Sequence, residues 1–570
     1  MRPASPRPDG GGGRVARQAY AGLLWSKQFF HFSVKDWLEG DPSQPPPPER
    51  RKDGRNSAWT HLYNRDVISM PDKWEYPWYA AWDLAFHMVP FARIDPEFAK
   101  QQIILLLREW YMHPNGQIPA YEWAFGDVNP PVHAWAAWRI YKITGTKGNR
   151  DRVFLARVFQ KLLINFTWWV NRKDPEGKNL FAGGFLGLDN IGVFDRSAEL
   201  PTGGHLEQAD GTAWMALLLR HDAVDGARAG ERGPGLRGRR VEVLRAFRLD
   251  RGRHEHARRN GSLGRAGRLL LRPASARTDG NIPLKVRSMV GLIPLFAVEV
   301  LEDDVTENLP GFRKRMQWFL DNRRDLACNI SYMARSAENR EAHRLLAIPS
   351  RERLRARAAV PPGRGRVPFS HGIRALSRVH RDAPYTFRVG DQEHVVAYDP
   401  GESTTGVFGG NSNWRGPVWF PVNYLLVEAL QRYHHFYGDG LRVECPTGSG
   451  VWMNLGQVSR EIAKRLAALF LPDAEGAGPA TAATSASPAI PRWSGLVLFH
   501  EYFHGDTGRG VGASHQTGWT AIVVRCLEDL AAHRRSKGAA PGSGPAVAPV
   551  RKREKKPPLS EERRGRRIVG

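Results

Sequence analysis

The sequence predicts an all-α fold in which paired helices close into a ring, a helical toroid. Long amphipathic stretches recur along the chain, whereas the strict alternation of apolar and polar residues that marks a strand is scarce. The loops between these stretches are alternately short and rich in Gly, Pro, Trp and carboxylates. A ring of paired helices predicts this alternation, because one rim carries a site while the other only closes turns.

The helices follow from apolar periodicity and from their start signals. Asp95, Pro96 and Glu97 form a strong start, with a capping Asp, Pro at the first helical position and Glu in the first turn. Further helices are predicted at 130–145, 150–172, 210–220, 287–302, 310–322, 421–437, 456–471 and 516–533.

Length and composition are consistent with one large domain. At 570 residues with 41% hydrophobic residues, the chain can bury an extensive core. The 19 tryptophans are many for this length, and because indole is bulky with one N–H to satisfy, they favour a carbohydrate or aromatic cleft as well as core positions. Cys328, Cys445 and Cys526 match neither a disulfide framework nor a zinc site, so we expect no metal and no cofactor.

The net charge of +25 would ordinarily suggest a nucleic-acid or membrane partner, but its distribution argues against both. The whole excess lies in four basic segments that contain none of the tryptophans, residues 1–18, 221–275, 351–366 and 534–570. We therefore predict a disordered leader over 1–18, one domain over 19–533, and a disordered basic tail over 534–570. No nucleic-acid or membrane partner is expected.

Helical periodicity is lost in two internal segments, 221–279 and 351–371, and resumes abruptly after each. Our hypothesis is that both segments are read in a shifted frame of a GC-rich gene. The alternatives are genuine disordered Arg-rich insertions, or segments that bind nucleic acid. Resequencing the gene distinguishes them, because an unbroken and correctly phased frame through both segments would contradict the hypothesis.

The stretch 183–216 combines helix-breaking residues with acidic ones. Only Arg196 offers a local countercharge to its four carboxylates, Asp189, Asp195, Glu207 and Asp210. Asp189 follows apolar residues, a setting that lets a carboxyl keep its proton and act as an acid. An ordinary acidic loop is the alternative, since loop carboxylates often cap helices or meet water.

A second stretch, 500–519, sets a lone glutamate, Glu501, among aromatics and glycines ahead of a predicted helix. Two such loops predict two carboxylates that meet across a cleft. Between them, Trp414 and Trp419 supply flat apolar faces and Arg415 a planar bidentate donor. Indole faces cover the C–H side of a sugar ring while Arg, Asn and carboxylates bind its hydroxyls, so we predict a carbohydrate substrate.

These three stretches resemble the catalytic domain of glycoside hydrolase family 63, the family of processing α-glucosidase I and of bacterial α-glucosidases and mannosylglycerate hydrolases. The resemblance covers most of residues 19–220, 280–350 and 372–533. It implies an (α/α)6 barrel and hydrolysis with inversion, using an Asp general acid and a Glu general base.

The motifs assign both roles by resemblance. Residues 185–189 are loosely similar to the family's Trp-x-x-Gly-x-Asp motif, so Asp189 inherits the acid role. Glu501 opens a run that keeps the Glu and the Thr-Gly of Glu-x-Tyr-x-Pro-x-Thr-Gly, and it inherits the base role. Phe503 and Gly505 replace the tyrosine and the proline, which leaves the substrate open.

Other residues are predicted to line the substrate cleft. The run 70–87 crowds aromatics around Asp83, although Asp83 also fits a helix cap or a core ion partner. The loop 113–135 adds more, although buried loops also need acceptors for orphan N–H groups. The predicted substrate-binding set is Trp74, Trp78, Trp82, Asp83, Tyr121, Glu122, Trp123, Asn413, Trp414, Arg415, Gly416, Trp419 and Trp519.

The resulting prediction is an inverting hydrolase of α-linked glucosyl or mannosyl residues. Arg415 and Asn413 would position hydroxyls or orient a carboxyl; alternatively, Arg415 pairs with a structural carboxylate. Two rival functions remain, a catalytically degenerate carbohydrate-binding relative and an Arg-rich nucleic-acid-binding protein. No early apolar run reaches signal-peptide length and no 18 apolar residues run together, so a cytoplasmic location is predicted.

Overall fold

A computed structural model of the chain shows how these stretches come together. The described residues are 10–54, 56–76, 78–121, 128–146, 148–171, 191–194, 211, 214–215, 217–218, 273–276, 280–284, 286–302, 314, 322, 343–347, 349, 351–358, 371–404, 413–472, 478–480, 496–514 and 517–538.

Helices predominate in this part of the chain, in agreement with the predicted class. They are α1 (Gly10–Trp25), α2 (Val34–Glu39), α3 (Ala81–Ile94), α4 (Pro96–Leu105), α5 (His133–Ile143), α6 (Arg152–Asn171), α7 (Arg351–Ala358), α8 (Val379–Asp382), α9 (Phe420–Tyr437), α10 (Leu455–Ala468) and α11 (Val523–Gly538). Four 3₁₀ turns of the described residues are Glu49–Arg51, Met289–Phe296, Gly438–Gly440 and Gly518–Ile522.

The strands of the described residues form small two-stranded antiparallel sheets. The pairs are β1 (Lys27–Ser33) with β2 (Tyr63–Ser69), β3 (Pro273–Ala276) with β4 (Gly280–Pro283), β5 (Val298–Glu302) with β6 (His343–Ala347), β7 (Tyr385–Val389) with β8 (Gln392–Val396), β9 (Arg442–Glu444) with β10 (Trp452–Asn454), and β11 (Tyr502–Phe503) with β12 (Gly510–Val511). The first pair runs from Lys27 opposite Ser69 to Ser33 opposite Tyr63. These two-stranded sheets are small additions to a mainly helical fold.

Two helix starts show how the sequence fixes local structure. The predicted start at Asp95 is confirmed, because its carboxylate accepts a hydrogen bond from the Phe98 N–H at 3.1 Å and Pro96 opens α4. At α10, Asn454 accepts from the Gln457 N–H at 2.7 Å, while the Gln457 side chain accepts from the Asn454 N–H at 2.8 Å. This reciprocal capping box satisfies two N–H groups that a helix end otherwise leaves unpaired.

The interior is built around α3 and α9. Every residue of α3 from Ala81 to Ala92 is buried, and α1, α4, α5 and the turn Gly518–Ile522 pack around this helix. α9 is buried from Phe420 to Leu430 and packs against α10 and the same turn. Helices that are apolar on all sides have to lie inside a protein. The first turn of α3 therefore carries Trp82 and Asp83 into the interior.

The prediction of one helix over 287–302 is wrong. The chain forms a 3₁₀ turn over Met289–Phe296 and then strand β5, which pairs with β6. Pro294 lacks the N–H that an α-helix needs, and the β-branched Val298 and Val300 favour a strand. The partner strand lies far away in sequence, so the local pattern alone did not reveal it.

The ordered elements also extend beyond the predicted boundaries. α1 begins at Gly10, inside the predicted leader 1–18, because Val15, Ala19 and Leu23 recur every four residues and are buried against α3, α11 and the turn Gly518–Ile522. α11 continues five residues past 533, to Gly538. α7 lies inside the segment 351–371, with Leu354 buried.

Candidate active site

Glu501 immediately precedes β11, in a segment that is fastened to the loop before α9. The Val418 N–H donates to the Phe503 carbonyl at 2.8 Å, and the Phe503 N–H donates back to the Val418 carbonyl at 3.0 Å. The Trp519 indole N–H donates to the Glu501 carbonyl at 3.0 Å. The loop before α9 and the turn Gly518–Ile522 thus fix the backbone around the predicted base.

The Glu501 side chain is 7% exposed and is held by two donors. Its Oε2 accepts hydrogen bonds from the Tyr76 hydroxyl and from the Ala513 N–H, both at 3.2 Å. Both donors are neutral, so they orient the carboxylate without cancelling its charge. A carboxylate in this state can accept a proton from water.

Asp83 is a second buried carboxylate near Glu501. Burial, together with the charge of Glu501, raises the pKa of Asp83 well above its usual range, and a backbone hydrogen bond opposes the shift. Two carboxylates that compete for ionisation in a buried site are typical of acid–base centres. The charge of Glu501 thus acts on Asp83 in the folded chain, and a substrate cleft shared by the two residues stays a prediction.

Four predicted tryptophans form one cluster beside these carboxylates. The Trp82 ring lies 5.4 Å from Trp519 and 6.3 Å from Trp414, measured between ring centroids. Trp414 stacks on Trp419 at 3.9 Å with 5° between the ring planes, and Tyr502 stacks on Trp419 at 4.5 Å. Trp82, Trp414, Trp419 and Trp519 are at most 5% exposed.

This packing corrects the role predicted for Trp419. Its indole is stacked against Trp414 and Tyr502, it is 1% exposed, and its N–H donates to the Asn413 carbonyl at 2.9 Å. Trp419 therefore supports the wall of the site instead of presenting a face to a sugar. The sequence alone does not distinguish a cleft indole from a core indole, because both occur in Gly- and Pro-rich loops.

Asn413 and Gly416 also serve the scaffold. The Asn413 side-chain amide donates to the carbonyls of Asp399 at 2.9 Å and Gly401 at 2.8 Å, and its oxygen accepts from the Arg415 N–H at 2.8 Å. A Cβ at Gly416 would lie 2.4 Å from the Asp399 carbonyl oxygen, so only glycine fits there. The structure thus gives both residues a structural role, and the substrate-binding role stays a prediction.

Arg415 links two loops. Its guanidinium donates to the carbonyls of Gly192 at 3.1 Å and Val395 at 3.4 Å. These hydrogen bonds hold residues 191–194, which follow Asp189 in sequence, beside the loop that precedes α9. Burial lowers the pKa of Arg415, and the negative charge of Asp399 opposes that shift, so the alternative of a structural carboxylate partner stays open.

The remaining predicted residues differ in their placement. Trp74 is 72% exposed, whereas Trp78 is half-buried and packs edge-on against Tyr76 at 5.3 Å. Tyr121 is half-buried. Asp189, Glu122 and Trp123 lie outside the described residues.

Sequence reasoning missed three residues around Glu501. Consecutive N–H groups donate to three different carboxylates: Gly512 to Glu402 at 3.2 Å, Ala513 to Glu501 at 3.2 Å, and Ser514 to Glu75 at 3.4 Å. Tyr76 stands in an aromatic run that the sequence did single out, but nothing local points to its partner 425 residues away. Glu75 and Glu402 are exposed and had no distinguishing signal.

The described residues contain no group of three or more His, Cys, Asp or Glu side chains arranged to hold a metal ion.

His133 is buried beside a cavity of about 10 Å³, and burial lowers its pKa to about 4. Burial also lowers the pKa of His87, to about 3, and its Nδ1 lies 2.9 Å from the Ser69 hydroxyl. None of the described helices combines the length and the apolar character needed to cross a membrane.

Comparison with known proteins finds a matching domain family and a similar protein. Residues 76–232 match a domain family described as the mannosylglycerate hydrolase MGH1-like glycoside hydrolase domain. An uncharacterized protein of Saccharomyces cerevisiae is 48% identical over 536 residues, which is 90% of this chain and 49% of that protein. This chain therefore spans about half the length of that relative.

Two more distant similarities are found, one to a yeast protein and one to a solved structure. The mannosyl-oligosaccharide glucosidase of Saccharomyces cerevisiae is 27% identical over 122 residues, 21% of this chain and 11% of that protein. Among solved structures, the family 63 mannosylglycerate hydrolase of Thermus thermophilus in complex with glucose is 15% identical; the match covers 90% of this chain and 99% of the other, with a TM-score of 0.46. The chain carries a glycoside hydrolase domain. The domain match and the similarity to the glucosidase both support the predicted resemblance to glycoside hydrolase family 63.

Proposed function

We propose that the chain is an inverting glycoside hydrolase that acts on α-linked glucosyl or mannosyl residues of an oligosaccharide or a small glycoside. The observation that carries this proposal is the buried Glu501 carboxylate, held by Tyr76 and Ala513 next to the buried Asp83. The match to a glycoside hydrolase domain supports it. We further propose that the helices around α3 and α9 form an (α/α)6 barrel whose loops carry the site.

In the proposed mechanism Asp189 is the general acid and Glu501 the general base. Asp189 gives its proton to the glycosidic oxygen while the bond from that oxygen to the anomeric carbon breaks. Glu501 takes a proton from a water molecule, whose oxygen bonds to the anomeric carbon from the opposite face. Inverting enzymes keep the two carboxyl groups roughly 6.5 to 9.5 Å apart so that this water fits between them.

Three contacts support this pairing of Asp189 with Glu501. Arg415 donates to the Gly192 carbonyl, three residues beyond Asp189. Arg415 precedes the segment in which Val418 pairs with Phe503, next to Glu501. Residues 191–194, which follow Asp189 in sequence, are therefore fastened to the segment that contains the base.

The two family relatives suggest different substrates. One printed name specifies a mannosylglycerate hydrolase and the other a mannosyl-oligosaccharide glucosidase. Both names describe glycosides of hexoses, so we propose a hexoside as substrate, with Trp82 and Asp83 lining its cleft. A cytoplasmic location stays a prediction.

The test is release of free sugar from a panel of α-glucosides and α-mannosides, with the product anomer followed by NMR. We expect initial release of the β-anomer from an α-linked substrate, and its loss in Asp189→Asn and in Glu501→Gln. General acid or base catalysis contributes roughly 10²- to 10⁴-fold, so each variant should lose about that factor. Equal background rates in all three proteins, with unchanged circular dichroism, would contradict the proposal.

A further inference from the structure

We propose that Tyr76 is a positioning residue for Glu501. Its hydroxyl donates to Glu501 Oε2 at 3.2 Å, and this bond fixes the direction of the carboxylate and favours its ionised form. The inference rests on the proposed function, because it takes Glu501 as the general base. It adds a residue that acts on the base and not on the sugar.

The pocket around Glu501 Oε2 is tightly defined. The Ala513 N–H is the second donor to this oxygen, at 3.2 Å. A Cβ at Gly512 would lie 2.5 Å from Oε2 and 2.5 Å from the Tyr502 ring, so the backbone closes one side of the carboxylate. The Tyr76 hydroxyl approaches the same oxygen from a different segment. Loss of the hydroxyl would free the carboxylate to turn about its last torsion angle, which is soft for a glutamate.

The loop that carries Tyr76 is anchored independently of the tyrosine. The Gly518 N–H donates to the Pro71 carbonyl at 2.9 Å, and the Ser514 N–H donates to Glu75 Oε1 at 3.4 Å. Within the loop, Asp72 Oδ1 accepts from the N–H groups of Trp74 at 2.7 Å and Glu75 at 2.9 Å. These bonds connect the loop to the chain on the C-terminal side of Glu501. They hold the Tyr76 backbone in place whether or not its hydroxyl is present.

The charges around Glu501 make neutral donors important. Asp83 interacts with Glu501 from the first turn of α3, and Glu402 binds the Gly512 N–H next to the Ala513 N–H that holds Glu501. Burial raises the pKa of Tyr502 beyond its ordinary range, and the charges of Glu501, Glu402 and Asp399 add to that shift. Neighbouring carboxylates disfavour ionisation of Glu501, whereas hydrogen bonds to the ionised form favour it. Removal of the Tyr76 hydroxyl should therefore make protonation of the base easier.

Tyr76→Phe tests the inference, with Tyr111→Phe as a matched control. Tyr111 also donates to a carboxylate, Asp66 Oδ2 at 3.1 Å, in the region of β2 and not at Glu501. We expect Tyr76→Phe to lower kcat about tenfold with KM within about twofold, because a hydrogen bond to a charged group typically contributes on that scale. The acidic limb of its pH–rate profile should move to higher pH. Tyr111→Phe should keep the wild-type kcat and pH profile.

The possible outcomes separate this inference from the proposed function. Wild-type kcat and pH profile in Tyr76→Phe, with Glu501→Gln inactive, would overturn the positioning role and leave the function intact. A raised KM with unchanged kcat would also overturn it, because Tyr76 would then bind substrate. Absence of turnover by the wild-type chain on every hexoside tested would reject the function, and the positioning role with it.

Discussion

Two buried glutamates, Glu428 and Glu501, have opposite electrostatic surroundings. Glu428 is 3% exposed and Glu501 is 7% exposed. The Glu428 carboxylate lies 2.8 Å from Arg139 and 3.7 Å from Arg432, and it accepts hydrogen bonds from Trp135 at 2.9 Å and Tyr424 at 3.0 Å. Glu501 instead meets two neutral donors and the second carboxylate of Asp83.

The difference appears in the directions of the pKa shifts. Burial opposes ionisation of Glu428, but Arg139, Arg432 and two hydrogen bonds outweigh it and lower its pKa to about 2. At the other site, burial and Glu501 raise the pKa of Asp83. A carboxylate paired with buried cations is locked in one charge state and contributes to structure. A carboxylate faced by another carboxylate remains able to exchange a proton, which catalysis requires.

The largest expected effect is on stability, at Glu428. Glu428→Gln leaves Arg139 and Arg432 buried without their carboxylate partner, which typically costs about 3 to 5 kcal/mol of unfolding free energy. The measurement is the denaturant midpoint at pH 7. Glu501→Gln is the matched control, because the donors Tyr76 and Ala513 are neutral and can still donate to the amide oxygen of glutamine. Equal losses of stability in Glu428→Gln and Glu501→Gln would contradict the proposed difference between the two sites.

A glycine pair tests how closely the backbone confines Glu501. Gly512 and Gly450 have similar φ angles, +69° and +74°, so alanine at either position costs about 1 to 2 kcal/mol of backbone strain. A Cβ at Gly512 would meet Glu501 Oε2 at 2.5 Å, whereas one at Gly450 meets nothing within 4 Å. We expect Gly512→Ala to lose more stability than Gly450→Ala, because its Cβ must also displace Glu501 or the Tyr502 ring.

Catalytic rate should separate the two alanine variants. Gly512→Ala is expected to lose about tenfold in kcat, because displacement of the carboxylate misaligns the base, and Gly450→Ala to keep the wild-type rate. Steady-state kinetics on the substrate found by the sugar-release panel provide the measurement. Full activity in Gly512→Ala would show that the carboxylate has more room than the structure indicates.

The sequence predicted best what depends on local patterns. Apolar periodicity located α5, α6, α9 and α10 within a few residues, and the capping signals located the start of α4. β5 was missed because its partner β6 begins more than forty residues later, and a pairing at that distance leaves no local pattern.

The same limit applies to the candidate site. Glu501 and Asp83 stood out because each lies among aromatics or glycines. Tyr76 was noticed as part of an aromatic run, but its partner 425 residues away was not. Glu428 did not stand out, because it looks like an isolated polar residue in an apolar helix. Trp419 was misjudged because burial against Trp414 and Tyr502 depends on how three segments pack.

The smallest expected effect is a pH-dependent one at Asp83, and its sign distinguishes the two clusters. The folded-state pKa of Asp83 is raised, so its contribution to stability is present below the ordinary Asp value of about 3.9 and is lost as pH rises through the folded-state value. Asp83→Asn carries no charge at any pH. It should therefore match the wild type near pH 4 and be more stable than the wild type at pH 8, as measured by thermal unfolding across that range.

Glu428 should show the reverse dependence. Its folded-state pKa is lowered to about 2, so its contribution is present above the ordinary range and is lost as pH falls from about 4.5 towards 2. Glu428→Gln should therefore lose most unfolding free energy at neutral pH. The difference in stability between this variant and the wild type should become smaller as the pH falls. Asp83→Asn should instead become increasingly more stable than the wild type as pH rises. For each variant, the difference in stability from the wild type is plotted against pH. The same slope for both variants would mean that a cation holds Asp83 in the folded protein. The proposal that the Glu428 cluster serves structure and the Glu501 cluster serves proton exchange would then fail.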